Sequence, residues 1–519
     1  MAIKISGTTV IDDSRNVTDV ENVGDANTVY YGSGANLTGV QAGSTTLTAS
    51  GAISNGDAVL INSNGTVSVV AATAANPPTK GTEVVFNENG DRYYAGVFDP
   101  TTGKVVIAYQ SSSSGKAQVG TVSGTSISFG SAVTFDSTDS ESYSIAYDST
   151  NEKVVIAYKR NNGNKPGYAI VGTVSGTSIS FGSATEYRDD DTREVSIAYD
   201  STNEKVVIAY QLANQSGSPY TYYGEVKVGT VSGTSLSFGS QVVFNNTGST
   251  SDPSVVFDPN TDKIVLAYRD GGNSSYGTVK IGTVSGNSIS FGSAVVFESA
   301  SAVGINAVYD TSNKKVVIAY RDNGNSSQGT AIVGTVSGNS ISFGSAVIFD
   351  SSSVTVHSAV FDSLTSKVAI NYKDGGNNEY GTIIAGTVSG TSISFGTPLV
   401  YKTYTIEDST AVYDSTNDKV VVVYKDGSNS NYGTAVVVTT GTTNLTAENF
   451  IGFAGEAISN GATGSITIAG GTNSSQSGLS TAKKYYVQAD GTLDTAADNP
   501  SVVAGTSISS TGIVVRTRA

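Results

Sequence analysis

The chain has no cysteine, no tryptophan, one histidine and one methionine, its first residue. Without cysteine there are no disulfides, no cysteine-ligated zinc or iron–sulfur centre and no thiol nucleophile. With His357 as the single imidazole, a metal site of several histidines is excluded, and a Ser-His-Asp triad would have to use that residue. Charge is also scarce. Lys+Arg 29 against Asp+Glu 44 leaves −15 over 519 residues, and the pI is near 4.5. That balance argues against binding a phosphate backbone, which needs clustered basic side chains. No run of about 18 apolar residues exists, so no membrane-spanning helix is expected. The opening Met1-Ala2-Ile3-Lys4-Ile5-Ser6 lacks the apolar core of a secretory leader, and none is expected.

What the chain does have is repetition. Lys-Val-Val-Ile-Ala-Tyr starts at Lys104, Lys153 and Lys205, and recurs in variant form at Lys263, Lys315, Lys367 and Lys419. The spacings are 49, 52, 58, 52, 52 and 52, so seven copies of one unit are present. Gly-Thr-Val-Ser-Gly follows in six of them, from Gly120 to Gly386, and Ser-Phe-Gly in the same six, from Phe129 to Phe395. Each unit reads as four strands rich in Val, Ile, Tyr, Phe and Thr, bounded by Gly, Asn, Asp and Ser. In the second copy these are 143–147, 153–158, 168–174 and 178–187. The first connection, Tyr-Asp-Ser-Thr-Asn-Glu-Lys, is a hairpin whose Asp can cap its own turn. Four antiparallel strands per unit of about 40–50 residues mark propeller blades. The expected fold is therefore all-β, a seven-bladed β-propeller over residues 81–442. A strand ending Val84-Val85-Phe86 precedes the first blade, and the last blade lacks its own outer strand. The early strand is expected to complete the last blade and remove the open edge.

The flanks differ from the repeats. Residues 1–42 are polar and Gly-rich. Residues 43–80 and 443–519 share a pattern: Ala52-Ile53-Ser54-Asn55-Gly56 recurs as Ala457-Ile458-Ser459-Asn460-Gly461. Two arrangements fit: one small β-domain built from both flanks with the propeller inserted, or two separate β-modules.

Comparing the seven copies with one another locates the variation. First and third connections are nearly uniform. The second varies in length: from the strand Tyr to the residue before Gly-Thr-Val-Ser-Gly the distance is 10 in the first copy, 18 in the third and 13 in the second, fourth, fifth and sixth. The links between units vary more. Loops that diverge on a repeated scaffold are where binding commonly sits. In units four to seven one pattern recurs there, with the pairs Asp270/Asn273, Asp322/Asn325, Asp374/Asn377 and Asp426/Asn429. These side chains suit sugar hydroxyls or a hard cation; they equally suit Asx turns that order the loop. Tyr220, Tyr222 and Tyr223 in the long third-unit loop offer aromatic faces for recognition or for packing on the neighbouring blade. Asp189-Asp190-Asp191 reads as a solvated acidic turn or a cation site. His357, near the innermost strand of the sixth blade, reads as a structural residue. Gly32-Ser33-Gly34-Ala35-Asn36-Leu37 follows no βαβ strand and precedes no helix, which rules out a nucleotide loop. No paired carboxylates stand out as an acid/base couple. No enzyme activity, cofactor or metal is expected.

The segment Ile3-Lys4-Ile5-Ser6-Gly7-Thr8-Thr9-Val10-Ile11-Asp12-Asp13-Ser14-Arg15-Asn16, with Gly32-Ser33-Gly34-Ala35-Asn36-Leu37-Thr38-Gly39, resembles the openings of tail-fibre-like structural proteins of marine bacteriophages. Glu448-Asn449-Phe450-Ile451-Gly452 and Tyr485-Tyr486-Val487-Gln488-Ala489-Asp490-Gly491-Thr492 are similar to modules of such virion proteins. The resemblance covers roughly 120 residues at the two ends. It implies a virion component, usually a homo-oligomer and often a trimer, attached to other tail or capsid proteins through residues 1–42, and it supplies no catalytic residues. The expected function is a tail fibre or tail-associated adhesin that offers its variable rim to a host-surface glycan or protein, with no nucleic-acid or membrane partner. The alternatives are a capsid decoration or tail-sheathing protein without a receptor role, and a glycan depolymerase.

Overall fold

The computed structural model describes residues 3–5, 8–11, 43–89, 92–214, 221–497 and 500–516. Residues 1–42, expected to attach the chain to a particle, therefore lie outside the described residues except for Ile3–Ile5 and Thr8–Ile11, which pair as a short hairpin.

Among the described residues, seven four-stranded antiparallel units follow one another, numbered here 1 to 7. In unit 2 the strands are Ser140–Asp148, Lys153–Arg160, Gly167–Ser175, and an outermost strand in two pieces, Ser178–Phe181 and Thr185–Arg188. The sequence pattern reads that outer strand as continuous; its two pieces instead pair separately with the third strand, which carries a bulge at Gly167/Tyr168. Val295–Asp310, Val347–Asp362 and Leu399–Asp414 each run on from the outer strand of one unit to the inner strand of the next. The innermost strands touch in a closed cycle, with unit 7 returning to unit 1. The fold is a β-propeller.

Three contacts hold neighbouring units. In the core, an aromatic ring on each outer strand packs against the second-strand Tyr of the following unit. The seven pairs, from Phe86–Tyr109 to Tyr401–Tyr424, have centroids 5.1 to 5.5 Å apart, a spacing that favours edge and tilted geometries. At the outer edge, the Gly of Ser-Phe-Gly lies on the next unit's third connection. A β-carbon built on Gly344 would sit 1.8 Å from the Thr391 carbonyl oxygen, and one on Gly130 equally close to that of Thr177. At the inner edge, a serine hydroxyl accepts a backbone N–H from the next inner strand: Ser144 from Ile197, Ser196 from Val255, Ser254 from Ala307 and Ser358 from Ala411, at 2.9–3.1 Å.

The ring closes on unit 7. Its third strand, Tyr432–Thr443, pairs with Ala72–Lys80 and Val84–Asn87. Sequence pattern assigns residues 72–80 to the flanking module; their hydrogen bonds place them in the propeller. Lys402 ties the closing strand down, 2.8 Å from Glu83 and 2.7 Å from the buried Asp426. Burial works to raise both carboxylate pKa values, but the lysine outweighs it and both are lowered, with help from Lys80 at Glu83 and Ser428 at Asp426. Burial likewise works to lower Lys402, and its two acids outweigh it and raise it.

Beyond the propeller, strands from both flanks share one sheet, in the order Ser44–Thr48, Thr463–Ile468, Phe450–Ala454, Ala58–Ile61, Val67–Val69. The recurring pentapeptides meet directly, with Ile53 and Ile458 exchanging two backbone hydrogen bonds of 2.9 and 2.8 Å. A second sheet, residues 472–515, packs on the first through Leu60, Phe450, Phe453, Val487, Val502 and Ile513.

Two outcomes test this account. Gly344→Ala must push units 5 and 6 apart and should cost about 2–3 kcal/mol in chemical denaturation. The contributions of Glu83 and Asp426 are full above their ordinary pKa values of 4.5 and 3.8 and are lost as pH falls through the lowered folded values. That of Lys402 is full below 10.5 and is lost as pH rises through its raised value. Lys402→Ala should therefore cost about 3 kcal/mol near neutral pH, with the loss shrinking below about pH 4 when denaturant midpoints are compared across pH.

Candidate functional site

The two faces of the ring differ because the connections do. One face carries the first and third connections. Each first connection is closed by its own Asp: Asp148 Oδ1 accepts the N–H groups of Thr150 and Asn151 at 3.0 and 2.9 Å, and Asp200 and Asp414 repeat the arrangement. The flanking module sits at this turn face. Thr443 donates to the Ala489 carbonyl at 2.5 Å. A cavity of about 580 Å³ lies between residues 488–497 and the first connections of units 1, 5, 6 and 7, represented by Pro100, Thr311, Leu364 and Thr416.

The opposite face carries the second connections and the links between units. Here the four recurring Asp residues turn their carboxylates into the loops. Asp270 Oδ1 accepts from Gly272 N at 3.0 Å and from Asn245 Nδ2 at 3.0 Å. Asp322 and Asp374 each accept from the N–H two residues on, at 2.9 Å. Asp426 accepts from Ser428 N and Oγ and pairs with Lys402. Asp270, Asp322 and Asp426 are buried, whereas Asn273, Asn325 and Asn429 are exposed and Asn377 is half-buried. The Asp members thus order the loops, and the Asn members present amides to solvent. Among the described residues, no group of three or more His, Asp or Glu side chains converges to hold a metal ion.

A cleft of about 380 Å³ opens on this face between units 2 and 3, lined by Asn164, Lys165, Asp191, Arg193 and Tyr222. Arg193 forks onto the buried Asp191, with Nη2–Oδ2 at 2.8 Å and Nε–Oδ1 at 3.3 Å. That hydrogen bond raises the arginine pKa against the effect of burial. Its guanidinium lies 5.4 Å from the Tyr222 ring centre. Tyr222 and Tyr223 lie on Thr221–Ser232; Tyr220 lies outside the described residues. Asp189 and Asp190 both face Arg188, at 3.7 and 2.9 Å, while Asp191 turns away to Arg193.

A second polar assembly lies where the central channel opens on this face. Six of the seven inner strands bulge here at a residue with positive φ: Tyr93, Ser142, Glu194, Asp252, Gly304 and Asp408. Side chains at this position reach the next unit: Glu194 Oε2 accepts Asp252 N at 2.7 Å, and Asp252 Oδ1 accepts Gly304 N at 3.2 Å. Crowding by the channel wall raises the pKa values of Glu194, Asp252 and Asp408, and Asp252 adds to the rise at Glu194. Sequence reading overlooked this ring. Its signal is a column in the repeats, the residue after each second-strand Tyr: Gln110, Lys159, Gln211, Arg269, Arg321, Lys373 and Lys425. Five basic residues in seven copies stand out in a chain with so few. His357 sits on the sixth inner strand; burial, with Lys373 nearby, pushes its pKa down to about 4, and its Nε2 has no hydrogen-bond partner among the described residues.

Solved structures share the fold. The BP39L lectin of Burkholderia pseudomallei aligns with a TM-score of 0.51 and 8% identity, over 69% of this chain and 99% of that one. The Cps50 (Swd1) β-propeller domain of Myceliophteria thermophila aligns with a TM-score of 0.46 and 7% identity, over 70% of this chain and 99% of that one. At such identities the likeness to the lectin establishes the fold alone. No family model and no curated protein matches the chain.

The loop assignment has a direct check. Asp270→Ala should lower stability by about 1–2 kcal/mol, because a buried cap and its Asn245 bond are lost, while Asn273→Ala should stay within about 0.5 kcal/mol in the same denaturation assay.

Proposed function

We propose that the chain is a virion structural protein, a tail fibre or tail-associated adhesin, that acts by binding and not by catalysis. In this reading residues 1–42 join it to other virion proteins and several copies assemble, with the propeller's variable face turned to a host-surface glycan or protein. The observation that carries the reading is the division of the faces. The described parts of both flanks, from residue 43 and from residue 444, gather at the face of uniform turns, and the exposed amides, Tyr222 and the polar channel mouth lie at the other. Amides, hydroxyls and an aromatic ring are adaptable recognition chemistry. Several copies per particle then raise avidity well above single-site affinity.

Immunogold labelling of particles with an antibody to the propeller tests the placement. Label at the tail tip or fibres is expected; label over the capsid lattice would replace the adhesin with a decoration protein. In cell-binding assays with the full chain, Tyr222→Ala combined with Asn325→Ala should weaken adhesion at least tenfold. Ser415→Ala on the turn face should leave it unchanged. Equal adhesion by both variants would remove the variable face from the binding role.

A further inference from the structure

We infer that the channel mouth between units 5 and 6 is an anion subsite, built from Arg321 and Lys373, for the carboxylate of an acidic sugar. It deepens the adhesin reading and rests on it for the choice of a sugar.

The seven units supply their own controls. In units 2, 4 and 7 the basic residue after the second-strand Tyr meets an acid from its own inner strand: Lys159 with Glu141 at 2.5 Å, Arg269 with Asp252 at 3.3 Å, Lys425 with Glu407 at 2.6 Å. In units 1 and 3 the position is a neutral Gln bonded to backbone carbonyls, Gln110 to Ser140 and Gln211 to Thr250. Units 5 and 6 keep the cations and omit the acids. Val303 pairs with Arg321, with Gly304 next to it in the bulge, and Thr355 pairs with Lys373. Among the described residues Arg321 makes no hydrogen bond or ion pair, and its Nε is buried without a partner. Asp252, the acid whose field it shares, accepts the Gly304 N–H through Oδ1, and its Oδ2 stands 3.3 Å from Arg269 Nε in an ion pair but makes no hydrogen bond among the described residues. Lys373 has one ionic partner among the described residues, Glu379, at 3.4 Å with 55% of its side chain exposed. His357 is neutral at pH 7 and adds no charge.

Two adjacent units thus hold cations with no acid on their own inner strand: Arg321 has no ion pair among the described residues, and Lys373 has only the exposed Glu379. A buried guanidinium edge without a partner is costly and is relieved by a ligand anion. The planar fork of arginine suits a carboxylate, with the lysine as a second point charge. Gly304 lacks the carboxylate that Asp252 carries at the same position in unit 4, and a β-carbon there would lie 3.1 Å from the Val356 carbonyl oxygen.

Calorimetric titration of the full chain with trigalacturonate, and with its methyl ester, which keeps the sugars and removes the charge, tests the proposal. The acid should bind and the ester should bind at least tenfold more weakly. Arg321→Ala should weaken the acid at least tenfold, and Lys315→Ala, at the opposite end of the same strand, should not. Val303→Glu supplies opposite Arg321 the acid that Glu141 and Glu407 supply in units 2 and 7, and should abolish binding while thermal unfolding stays near that of the parent. No uptake of the acid, equal binding of the ester, or an Arg321→Ala protein that binds like the parent overturns the subsite. If cells are still bound under those results, the adhesin reading stands without it; if the acid binds through Arg321 but cells do not, the adhesin reading alone fails.

Discussion

The antiparallel pairing of residues 72–80 with 438–443 decides the layout of the molecule. It completes unit 7 with a strand that precedes unit 1 by sequence, so the third strand of unit 7 is not left as an open edge and each unit keeps only its short outer strand at the rim. It also sets the break in the ring at the place of unit 7's missing third connection. Ala72 lies opposite Thr443 there, and Ala71 and Asn444 are hydrogen-bonded through the Asn444 side chain at 2.8 Å. Both flanks must leave from that one point on the turn face. Their meeting in a common sheet follows from geometry, since strands delivered side by side exchange backbone bonds at little further loop-closure cost.

Each unit is then held to the next by contacts that tolerate little variation. The glycine on the outer strand has no room for a β-carbon, the aromatic pair fills the core, and the serine hydroxyl satisfies a backbone donor at the channel. The glycine and the second-strand Tyr recur in all seven units, while the serine stands in units 2, 3, 4 and 6. Freedom is left where the contacts end, on the variable face. The electrostatic pattern there is uneven: three units pair their channel cation with an acid of the inner strand, two replace it with glutamine, and two have no acid on that strand. A repeated scaffold makes such departures conspicuous, because six other copies show what the position ordinarily holds.

Much of the fold was legible in the chain. The strands were marked by Val-Val-Ile-Ala-Tyr runs and by Gly-containing turns, and the surplus of Phe86-type endings before unit 1 matched the deficit after unit 7. The rim was less legible. An Asp in a loop reads the same whether it faces a ligand or its own backbone, and Asp270 and Asp426 proved to be buried caps because Asn245 and Lys402, 25 and 24 residues away, close over them. Asp189, Asp190 and Asp191 looked like one acidic cluster, yet Asp190 and Asp191 turn to different arginines. The channel ring was missed because its members come from positions that are unremarkable within any single unit.

Sequence by itself determined the repeat, its four-stranded unit, the number of copies and the identity of the variable connections. All of these are local: period-two alternation and turn chemistry act within about ten residues. Only the tertiary structure decided which face the flanks cover, which loop carboxylates are consumed by the fold, and that Arg321 is left without an ion pair among the described residues. Those outcomes depend on distances between residues far apart in the chain, such as Lys402 and Glu83 or Arg269 and Asp252, and a charge's environment is set by what surrounds it in space.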